Sequence, residues 1–591
     1  MYEAKCSFLM REKMSQLTND DKKVLKEHYR PIVHMRRQFE AGKLVLVFGT
    51  GLTQPLGIPG WNKLNDMIAS DSRVLGCGML GRPTAEKIHE FLDTAGKKRI
   101  RTQILGPGPE ETFTTQKLYE HFKRKQSKKL VERHTPIFVD AKVYYEWKTI
   151  VRDQLYKRAT KETAILGKHA YLRDFLPIIQ NTPLTITFNL DDVIEATLYH
   201  TGPREGRGYE TVTDIRVLPR RKSAVIYHPN GYIPRESMEE NTQEIVLSES
   251  EFANRMAELS SGQYSSLLHT LSRNTCLFIG LSLRDGILKN LLKQSAMIAP
   301  GNYHYYVDYC DGRSKPRPCA EDYKSIRASN FDTYNLITLC MNDAQISLLG
   351  KMIRCGFEEP ERMWTHDEFG HAAEAAGVAD TDLSYYIVGA IGAGKSTCVS
   401  FLRSLTTFDE WFERRKSVLA KNWTKLSPEE RKEADDWIAG QFKQKNLELL
   451  DKKCCISISD RCPLDPISFT DPKEWSEKAK SLLQKIDPER VKSGHVIFLW
   501  HDPALLALRA ARTEKRDYDE ESLKQLQDSM QKAYDMRGVT RVDCRFLSFY
   551  EVMKSVCRII HMSDEYEPAD IHARLEDIRK GEVVANDLFQ S

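Results

Sequence analysis

The stretch YYIVGAIGAGKSTC, at Tyr385–Cys398, constrains the fold of this chain more than any other segment. It fits the pattern G-x-x-x-x-G-K-[ST] between an apolar β-type run and an apolar helical run, which is the strand–loop–helix context that this pattern requires. In such a loop, backbone amides cradle phosphate oxygens, Lys395 reaches the β- and γ-phosphates, and Ser396 ligates Mg²⁺. The nucleotide-binding positions predicted in this loop are Gly389, Gly392, Gly394, Lys395, Ser396 and Thr397. The stretch therefore predicts an α/β domain that binds ATP or another NTP or dNTP together with Mg²⁺.

Chain length and charge bound the number of domains and the class of partner. At 591 residues the chain is too long for a single hydrophobic core, so two domains are expected and a third stays open. The 87 basic and 83 acidic side chains nearly cancel, which leaves a net charge of +4. So small an excess argues against a nucleic-acid partner, and the basic run at 123–133 is typical of a solvated helix face.

Cysteine usage and hydropathy indicate the compartment. The thirteen cysteines contain no C-x-x-C pair, a pattern that predicts reduced thiols. The first residues lack the apolar core and cleavage site of a signal peptide, and no apolar run approaches the roughly 18 residues of a membrane span. We therefore expect a soluble, cytoplasmic protein without a membrane partner.

The order of apolar and polar segments predicts two α/β domains. Residues 1–355 form the first, with a helix over residues 1–42 and a helical insertion at about 81–180. Residues 356–382 read as a polar linker rich in Ala and Gly, and residues 383–591 as the P-loop domain. The β-type runs of the first domain lie at 44–48, 184–192, 224–234, 244–248, 275–285 and 303–309. Short apolar strands separated by helices predict a Rossmann-like parallel sheet with helices on both faces.

Four strand ends in the first domain carry glycine and polar residues. Their candidate residues are Gly49, Thr50, Gly51, Thr53, Pro59, Trp61, Asn189, Asp191, Asp192, His228, Asn230, Gly231, Gly280, Ser282 and Asp285. In open parallel sheets, ligands bind outside the carboxyl ends of strands, so the four loops are expected to meet at one pocket. Each loop alone also has an ordinary interpretation, such as a tight turn, a helix cap or a hydrogen-bonded core histidine.

Taken in order, the four segments resemble the sirtuin-like domain of bacterial antiphage-defence effectors, over roughly residues 30–350. The family's G-A-G-x-S turn and G-x-P-x-W correspond to residues 49–53 and 57–61, and its T-x-N-x-D corresponds to residues 187–191. Its G-x-S with a downstream Asp corresponds to residues 280–285. The dehydrogenase fingerprint G-x-G-x-x-G fails here, because Gln54 stands where the third glycine belongs. The resemblance implies NAD⁺ binding by residues of the first and fourth segments.

The same resemblance implies catalytic roles for Asn189, Asp191, His228 and Asn230. Asn189 would position the attacking water, and Asp191 would hold the nicotinamide carboxamide. The family has H-x-H-G where this chain has His228-Pro-Asn230-Gly. Four alternatives stay open: His228 acts as the base, Asn230 fills the catalytic position, the site works without a base, or the change to Asn230 weakens catalysis. The missing C-x-x-C pairs argue against the zinc-containing deacylase branch.

The second domain resembles deoxynucleoside and thymidylate kinases over roughly residues 383–562. An acidic pair, Asp409-Glu410, follows the first helix, and Asp460-Arg461 ends a later strand. The resemblance implies that Glu410 or Asp409 is an acceptor-side base and that Arg461 contacts phosphate or substrate. Arg509 and Arg512 lie three residues apart, which fits either an arginine lid or the solvated face of an amphipathic helix.

These two resemblances lead to two candidate functions. In the first, an NAD⁺ glycohydrolase depletes NAD during phage infection, and the nucleotide-binding P-loop domain gates it in response to a phage-derived trigger. In the second, a nucleotide or nucleoside kinase carries an appended NAD-binding regulatory domain. The first is favoured, because a toxic activity needs a gate. A homo-oligomer is also expected.

Overall fold

The computed structural model describes residues 18–75, 110–130, 134–201, 208–213, 224–236, 245–260, 265–283, 285–311, 319–354, 365–413, 426–512, 518–563 and 565–582. These residues form two parallel sheets with helices, a Rossmann-like domain followed by a P-loop-like α/β domain. They divide into two compact units, each of which contains one sheet.

The elements up to the end of the first sheet are α1 Asn19–Glu40, β1 Leu44–Phe48, α2 Thr50–Thr53, α3 Trp61–Ala69, α4 Ser72–Leu75, α5 Glu110–Leu130, α6 Pro136–Tyr156, α7 Ile165–Lys168, α8 Leu172–Asn181, β2 Thr185–Thr187, α9 Val193–Thr201, β3 Tyr209–Val212, β4 Ala224–Tyr227, α10 Glu249–Ser260, α11 Ser265–Arg273, β5 Thr275–Ile279, α12 Gly286–Ile298, β6 His304–Tyr309, α13 Ala320–Tyr334, β7 Leu336–Met341 and α14 Asp343–Arg354.

The later elements are α15 His366–Ala375, β8 Leu383–Gly389, α16 Lys395–Phe401, β9 Thr406–Phe408, α17 Pro428–Asp451, β10 Ile456–Asp460, α18 Asp465–Ser468, α19 Trp475–Ile486, β11 His495–Trp500, α20 Pro503–Arg512, α21 Glu520–Ala533, β12 Val539–Asp543, α22 Phe549–Met562 and α23 Ile571–Lys580.

The first sheet has seven strands in the order β3-β4-β2-β1-β5-β6-β7, and every pair is parallel. All five residues of β1 are buried, because helices cover both faces of this central strand. From β1 the chain builds one half of the sheet, through β2, β3 and β4, and then crosses to β5 on the other side. The loops after β1 and β5 therefore meet at the switch point of the sheet, where ligands bind in this class of fold.

The second sheet has five parallel strands in the order β12-β11-β8-β10-β9. Strand β8, which leads into the loop with Lys395, lies at its centre, between β10 and β11. The carboxyl ends of these three strands therefore surround the P-loop.

Four strands escape the sequence pattern, and one predicted strand is absent. The sequence did not predict β3, β7, β9 or β12. Residues 245–247 form no strand, although the run 244–248 was predicted as one. They are buried instead as a single extended segment, in which the amide of Val246 donates to the carbonyl of Asn230 over 2.8 Å.

The compact units group the chain differently from the predicted domain boundaries. One unit contains the described residues of 39–296 and 304–354, and the other those of 1–38, 297–303 and 355–591. The residues of helix α1 up to Gln38 belong to the second of these units. Within that unit, Tyr29 Oη donates to Thr381 O over 2.7 Å. Of the predicted linker 356–382, residues 356–364 lie outside the described part, and the rest holds α15, which a Thr365–Glu368 capping box starts.

Two further expectations concern the insertion and the cysteines. Helices α5 and α6 account for much of the insertion predicted at about 81–180, of which residues 81–109 lie outside the described part. Cys310 and Cys340 form a disulfide between the end of β6 and its neighbour β7, so the prediction of reduced thiols throughout was wrong. None of the described helices is long and apolar enough to cross a membrane.

Candidate active site

Three glycines bring the loops after β1 and β5 into backbone contact. The amide of Gly51 donates to the carbonyl of Gly280 over 2.8 Å. A Cβ atom at Gly49 would lie 2.6 Å from Gly280 O, and one at Gly280, whose φ is +71°, would lie 2.6 Å from Leu52 N. Glycine is required at these positions because the two loops pack directly on each other, and the sequence did not reveal this contact.

Asn189 lies at the end of β2, directly under the glycine loop. Its side-chain nitrogen donates to Gly49 O over 3.1 Å and to Thr53 Oγ1 over 3.3 Å. Its side-chain oxygen is buried and has no hydrogen-bond partner in the described part of the chain. Because the nitrogen is held by two acceptors, the orientation of the amide is set, and the oxygen is left to accept from a ligand or a water.

Asp191 follows two residues later and is also buried. Burial raises the pKa of its carboxyl to about 7, with a smaller contribution from Asp192, while the amide of Val193 and the ring of His228 oppose the shift. The Val193 amide donates to Asp191 Oδ1 over 3.2 Å at the start of α9. Near neutral pH this group can therefore donate as an acid or accept as a carboxylate.

His228 and Asn230 follow β4, and both side chains already have protein partners. His228 is fully buried, with Nδ1 2.9 Å from Asn189 O and Nε2 2.7 Å from Glu195 Oε1. The side-chain nitrogen of Asn230 donates to Phe188 O over 3.1 Å. The structure thus brings all four predicted catalytic residues together around the end of β2.

The loop after β5 contributes residues of different exposure. Ser282 is exposed, as is Thr50 on the facing loop. The carboxylate of Asp285 accepts from the amide of Leu288 over 2.9 Å and so caps α12. Asp285 therefore lies at the N-cap of α12, and its contact with the cofactor stays a prediction.

Trp61 and Pro59 lie where the glycine loop leads into α3. Pro59 is buried, and Trp61 Nε1 donates to Thr115 Oγ1 over 3.3 Å. Thr115, which belongs to α5, donates in turn to Asn65 Oδ1 over 2.7 Å. Trp61 therefore fastens the helical insertion to the site region.

In the second sheet, the loop predicted to be a P-loop connects β8 to α16. Gly392 and Gly394 have φ angles of +80° and +90°, a conformation that residues with side chains rarely adopt. Ser396 and Thr397 are exposed in the first turn of α16. Lys395 is buried, and its Nζ donates to Gly389 O over 2.9 Å.

Arg461 is the centre of a buried charge cluster beside the P-loop. Its guanidinium donates to Glu410 Oε1 over 2.8 Å and to Asp465 Oδ2 over 3.1 Å. Tyr534 Oη also donates to the Asp465 carboxylate. Of the predicted acidic pair only Glu410 belongs to this cluster, since Asp409 is exposed and pairs with an arginine on the outside.

Asp460, at the end of β10, is buried with no hydrogen-bond partner for either carboxylate oxygen among the described residues. Its carbonyl accepts from Lys445 Nζ over 2.7 Å. Burial lowers the pKa of both Lys445 and Lys395 to about 8. A buried carboxylate without a hydrogen-bond partner, next to the predicted phosphate-binding loop, fits a hard divalent cation such as Mg²⁺, which prefers oxygen ligands.

The two predicted lid arginines lie on α20. Arg509 is half-buried, and its guanidinium lies 3.4 Å from the Gly392 carbonyl of the P-loop. Arg512, one turn later, is exposed. Arg509 therefore meets the loop directly, whereas Arg512 faces solvent.

The SIR2-like domain family matches residues 183–329 of the chain. This region contains β2, β4 and β5 with Asn189, Asp191, His228 and Gly280. The match supports a sirtuin-like, NAD-related function and favours it over the kinase alternative.

Two other comparisons add less. None of the curated proteins compared with the chain matches it. One solved structure, deoxyadenosine kinase from M. mycoides with bound dATP, is 15% identical and covers 29% of this chain and 96% of its own, with a TM-score of 0.25. A likeness at this level carries no functional argument.

Several polar residues around the first site were missed by the sequence reasoning. Tyr156 Oη accepts from the amide of Asp192 over 2.9 Å and donates to Ile233 O over 2.7 Å. His169 Nε2 donates to Leu52 O in the glycine loop over 2.6 Å. Glu195 lies one helical turn after Asp191, and this spacing was a usable signal. The other two belong to the predicted insertion, where no local pattern marks them.

Proposed function

We propose that this protein is an NAD⁺ glycohydrolase that releases nicotinamide and ADP-ribose. The observation that carries the proposal is Asn189, a buried amide whose nitrogen is held by the glycine loop and whose oxygen has no partner among the described residues. Such an oxygen is suited to accept a hydrogen bond from an attacking water. The match to the SIR2-like domain family supports NAD⁺ as the substrate.

The chemistry demands little of the protein beyond orientation and charge. Nicotinamide leaves NAD⁺ as a neutral molecule from a cationic ring, so bond cleavage needs no general acid, and catalysis rests on stabilising the cationic ribose. The Asn189 oxygen would align the water toward the sugar carbon. Asp191, whose pKa is about 7, would hold the carboxamide that twists out of the ring plane.

The glycine loops would hold the dinucleotide itself. The loop after β1 ends in α2, and its backbone amides lie at the switch point of the first sheet. Thr53, which already contacts Asn189, would link the grip on the dinucleotide to the water-binding side chain. The exposed residues Thr50 and Ser282 are free to face the phosphates.

The P-loop domain would serve as the gate, with ATP or another nucleoside triphosphate and Mg²⁺ as its ligand. The hydroxyl of Ser396 and the unpartnered carboxylate of Asp460 would hold the ion, whose charge neutralises phosphate oxygens when it is bound. Lys395 and Arg509 would add positive charge on either side of the loop. The alternative of a kinase with an NAD-binding regulator is less well supported, because the family match falls in the first domain.

A packing contact supports the gate. A Cβ atom at Gly301 would lie 2.2 Å from the carbonyl oxygen of Phe401, the last residue of α16. Gly301 belongs to the same compact unit as the P-loop and follows α12 in the chain. Helix α16 thus begins at the P-loop lysine and ends against a segment that continues into the first sheet.

The biological part of the proposal is antiphage defence, in which a phage-derived trigger releases the enzyme and NAD falls. It is supported by the resemblance of the four motifs to such effectors. The deciding experiment incubates purified protein with NAD⁺, with and without nucleotides and phage lysate, and follows nicotinamide release. Absence of nicotinamide under every condition would contradict the proposal.

A further inference from the structure

The ring of His228 lies between two oxygen atoms, one from a main-chain carbonyl and one from a side-chain carboxylate. Nδ1 faces the carbonyl of Asn189 at 2.9 Å, and Nε2 faces the carboxylate of Glu195 at 2.7 Å. A carbonyl and a carboxylate are both acceptors, so both ring nitrogens must carry hydrogen to complete both bonds. The geometry is that of an imidazolium paired with a carboxylate.

We infer that His228 and Glu195 form a buried pair that positions Asn189 and that takes no proton in the reaction. This inference rests on the proposed function. His228 Nδ1 holds the main chain of Asn189, while Gly49 O and Thr53 Oγ1 hold its side-chain nitrogen. These contacts leave the side-chain oxygen of Asn189 without a hydrogen-bond partner among the described residues.

The pair is shielded from water on every side. The His228 side chain is 0% exposed and that of Glu195 is 3% exposed. No ring nitrogen remains for a ribose hydroxyl or for the attacking water. A base must meet the proton that it accepts within hydrogen-bond reach, and this ring does not.

The surroundings favour the charged form of the ring. Burial lowers the pKa of His228, but the Glu195 carboxylate, its hydrogen bond and the Asn189 carbonyl together raise it above the ordinary value. The titratable groups that face the ring are Glu195 from α9, Asp191 from the loop after β2 and Tyr232 from the loop after β4. Removing one member of such a pair leaves the other charged and buried without a partner.

The test compares Glu195→Ala with Glu195→Gln. We expect Glu195→Ala to lower kcat about 100-fold with little change in KM, because a small displacement of a positioned group has this effect. Glu195→Gln keeps an oxygen that accepts the same hydrogen bond but removes the charge, so it is expected to retain more of kcat than Glu195→Ala. His200→Gln is the matched control. His200 lies on α9, as Glu195 does, but towards the outside, where its Nε2 is 2.9 Å from the carboxylate of Glu162.

The decisive comparison repeats Glu195→Ala in the Asn189→Ala background. If the pair acts through Asn189, Glu195→Ala hardly changes the kcat of the Asn189→Ala protein. An equal loss in both backgrounds would overturn the inference, because it would mean a separate catalytic or merely structural role. A parallel rise in KM for Glu195→Ala alone would do the same.

A second measurement does not depend on activity. Nitrogen NMR of the histidine-labelled full chain, with His228→Gln to assign the signal, is expected to show two protonated ring nitrogens at pH 7, above the ordinary pKa of 6.5. A neutral His228 ring at that pH would overturn the inference even if Glu195→Ala fails to fold. If the wild-type protein cleaves no NAD⁺, the proposed function fails, while this spectrum still decides whether the pair exists.

Discussion

The side-chain nitrogen of Asn189 lies 3.1 Å from the carbonyl oxygen of Gly49, so the strand end that carries the amide is tied directly to the glycine loop. The loop accepts the hydrogen bond from the amide nitrogen, whereas the amide oxygen has no hydrogen-bond partner among the described residues. If the loop binds a dinucleotide and Asn189 orients a water, as proposed above, one side chain links the two.

The first prediction is that Asn189→Ala lowers nicotinamide release by about a hundred- to a thousandfold, which is the usual cost of about 2.7–4 kcal/mol for one lost transition-state contact. Release is measured on purified protein at saturating NAD⁺. Asn181→Ala, at the exposed end of α8, is the control and is expected to behave as wild type. Full activity in a folded Asn189→Ala protein would remove the reaction from this pocket.

The second prediction concerns the pH dependence of stability at Asp191. Its pKa rises from 3.8 to about 7 in the folded protein because burial disfavours the carboxylate. The folded state therefore holds a proton that the unfolded state has lost, and stability falls as the pH rises between these two values. Asp191→Asn keeps the shape and removes the titration.

We expect Asp191→Asn to lose less stability than wild type between about pH 4 and pH 7. Chemical denaturation at several pH values measures the difference. The exposed Asp66→Asn variant, on α3, serves as the control. A constant difference between Asp191→Asn and wild type across this range would show that the Asp191 carboxyl does not titrate there.

The third prediction tests the contact between the glycine loops. In Gly280→Ala the new methyl group would lie 2.6 Å from Leu52 N, at a φ of +71° that side chains rarely adopt. Strain and overpacking of this kind each cost about 1–3 kcal/mol. The free energy of unfolding and the affinity for NAD⁺ are both expected to fall.

Gly167→Ala is the matched control, because a Cβ atom there meets nothing within 4 Å. Denaturant unfolding and calorimetric titration with NAD⁺ give the two quantities. A Gly280→Ala protein that is as stable as Gly167→Ala would mean that the two loops do not pack as described.

The sequence predicted those parts of the molecule that a local pattern specifies. The glycine-rich loop after β8 and the apolar strand β1 are each encoded in a short run of consecutive residues, so their place followed from spacing alone. Strand β12 did not follow, because its residues are only half-buried at the sheet edge and carry no alternation.

The site was predicted only in outline. The four strand ends could be brought together from the topology of parallel sheets, but the partners of each side chain could not. Glu195 meets His228 from a helix that lies 33 residues earlier in the chain, and this long-range contact fixes both ring nitrogens. The need for a glycine at Gly280 is likewise seen only in the structure, where the loop after β1 packs against it.

The fourth prediction addresses nucleotide binding. Lys395→Ala removes a buried ammonium that the P-loop holds ready for phosphate, and a hydrogen bond to a charged group contributes about 1.5–3 kcal/mol. We expect the affinity for ATP with Mg²⁺ to fall by about 10- to 150-fold, as measured by calorimetry. The same variant is expected to lose any effect of nucleotide on nicotinamide release. Normal regulation in a variant that no longer binds nucleotide would exclude the P-loop as the gate.

The last prediction separates the gate from its ligand. Gly301→Ala leaves every proposed nucleotide and NAD⁺ contact intact, but its methyl group would lie 2.2 Å from Phe401 O at the end of α16. A ligand shifts a two-state equilibrium only by its differential affinity for the two states, and a change from 1% to 99% active needs about 5.5 kcal/mol. Part of this difference in affinity is proposed to come from the packing of the segment at Gly301 on α16. In that case Gly301→Ala still binds nucleotide and cleaves NAD⁺, but nucleotide changes its rate of NAD⁺ cleavage only weakly. Gly440→Ala, in the same compact unit and with nothing within 4 Å of its Cβ position, is expected to respond as wild type. The measurement is nicotinamide release with and without ATP for the three proteins, at nucleotide concentrations that saturate each one. An undiminished response in Gly301→Ala would show that the signal does not pass through the end of α16.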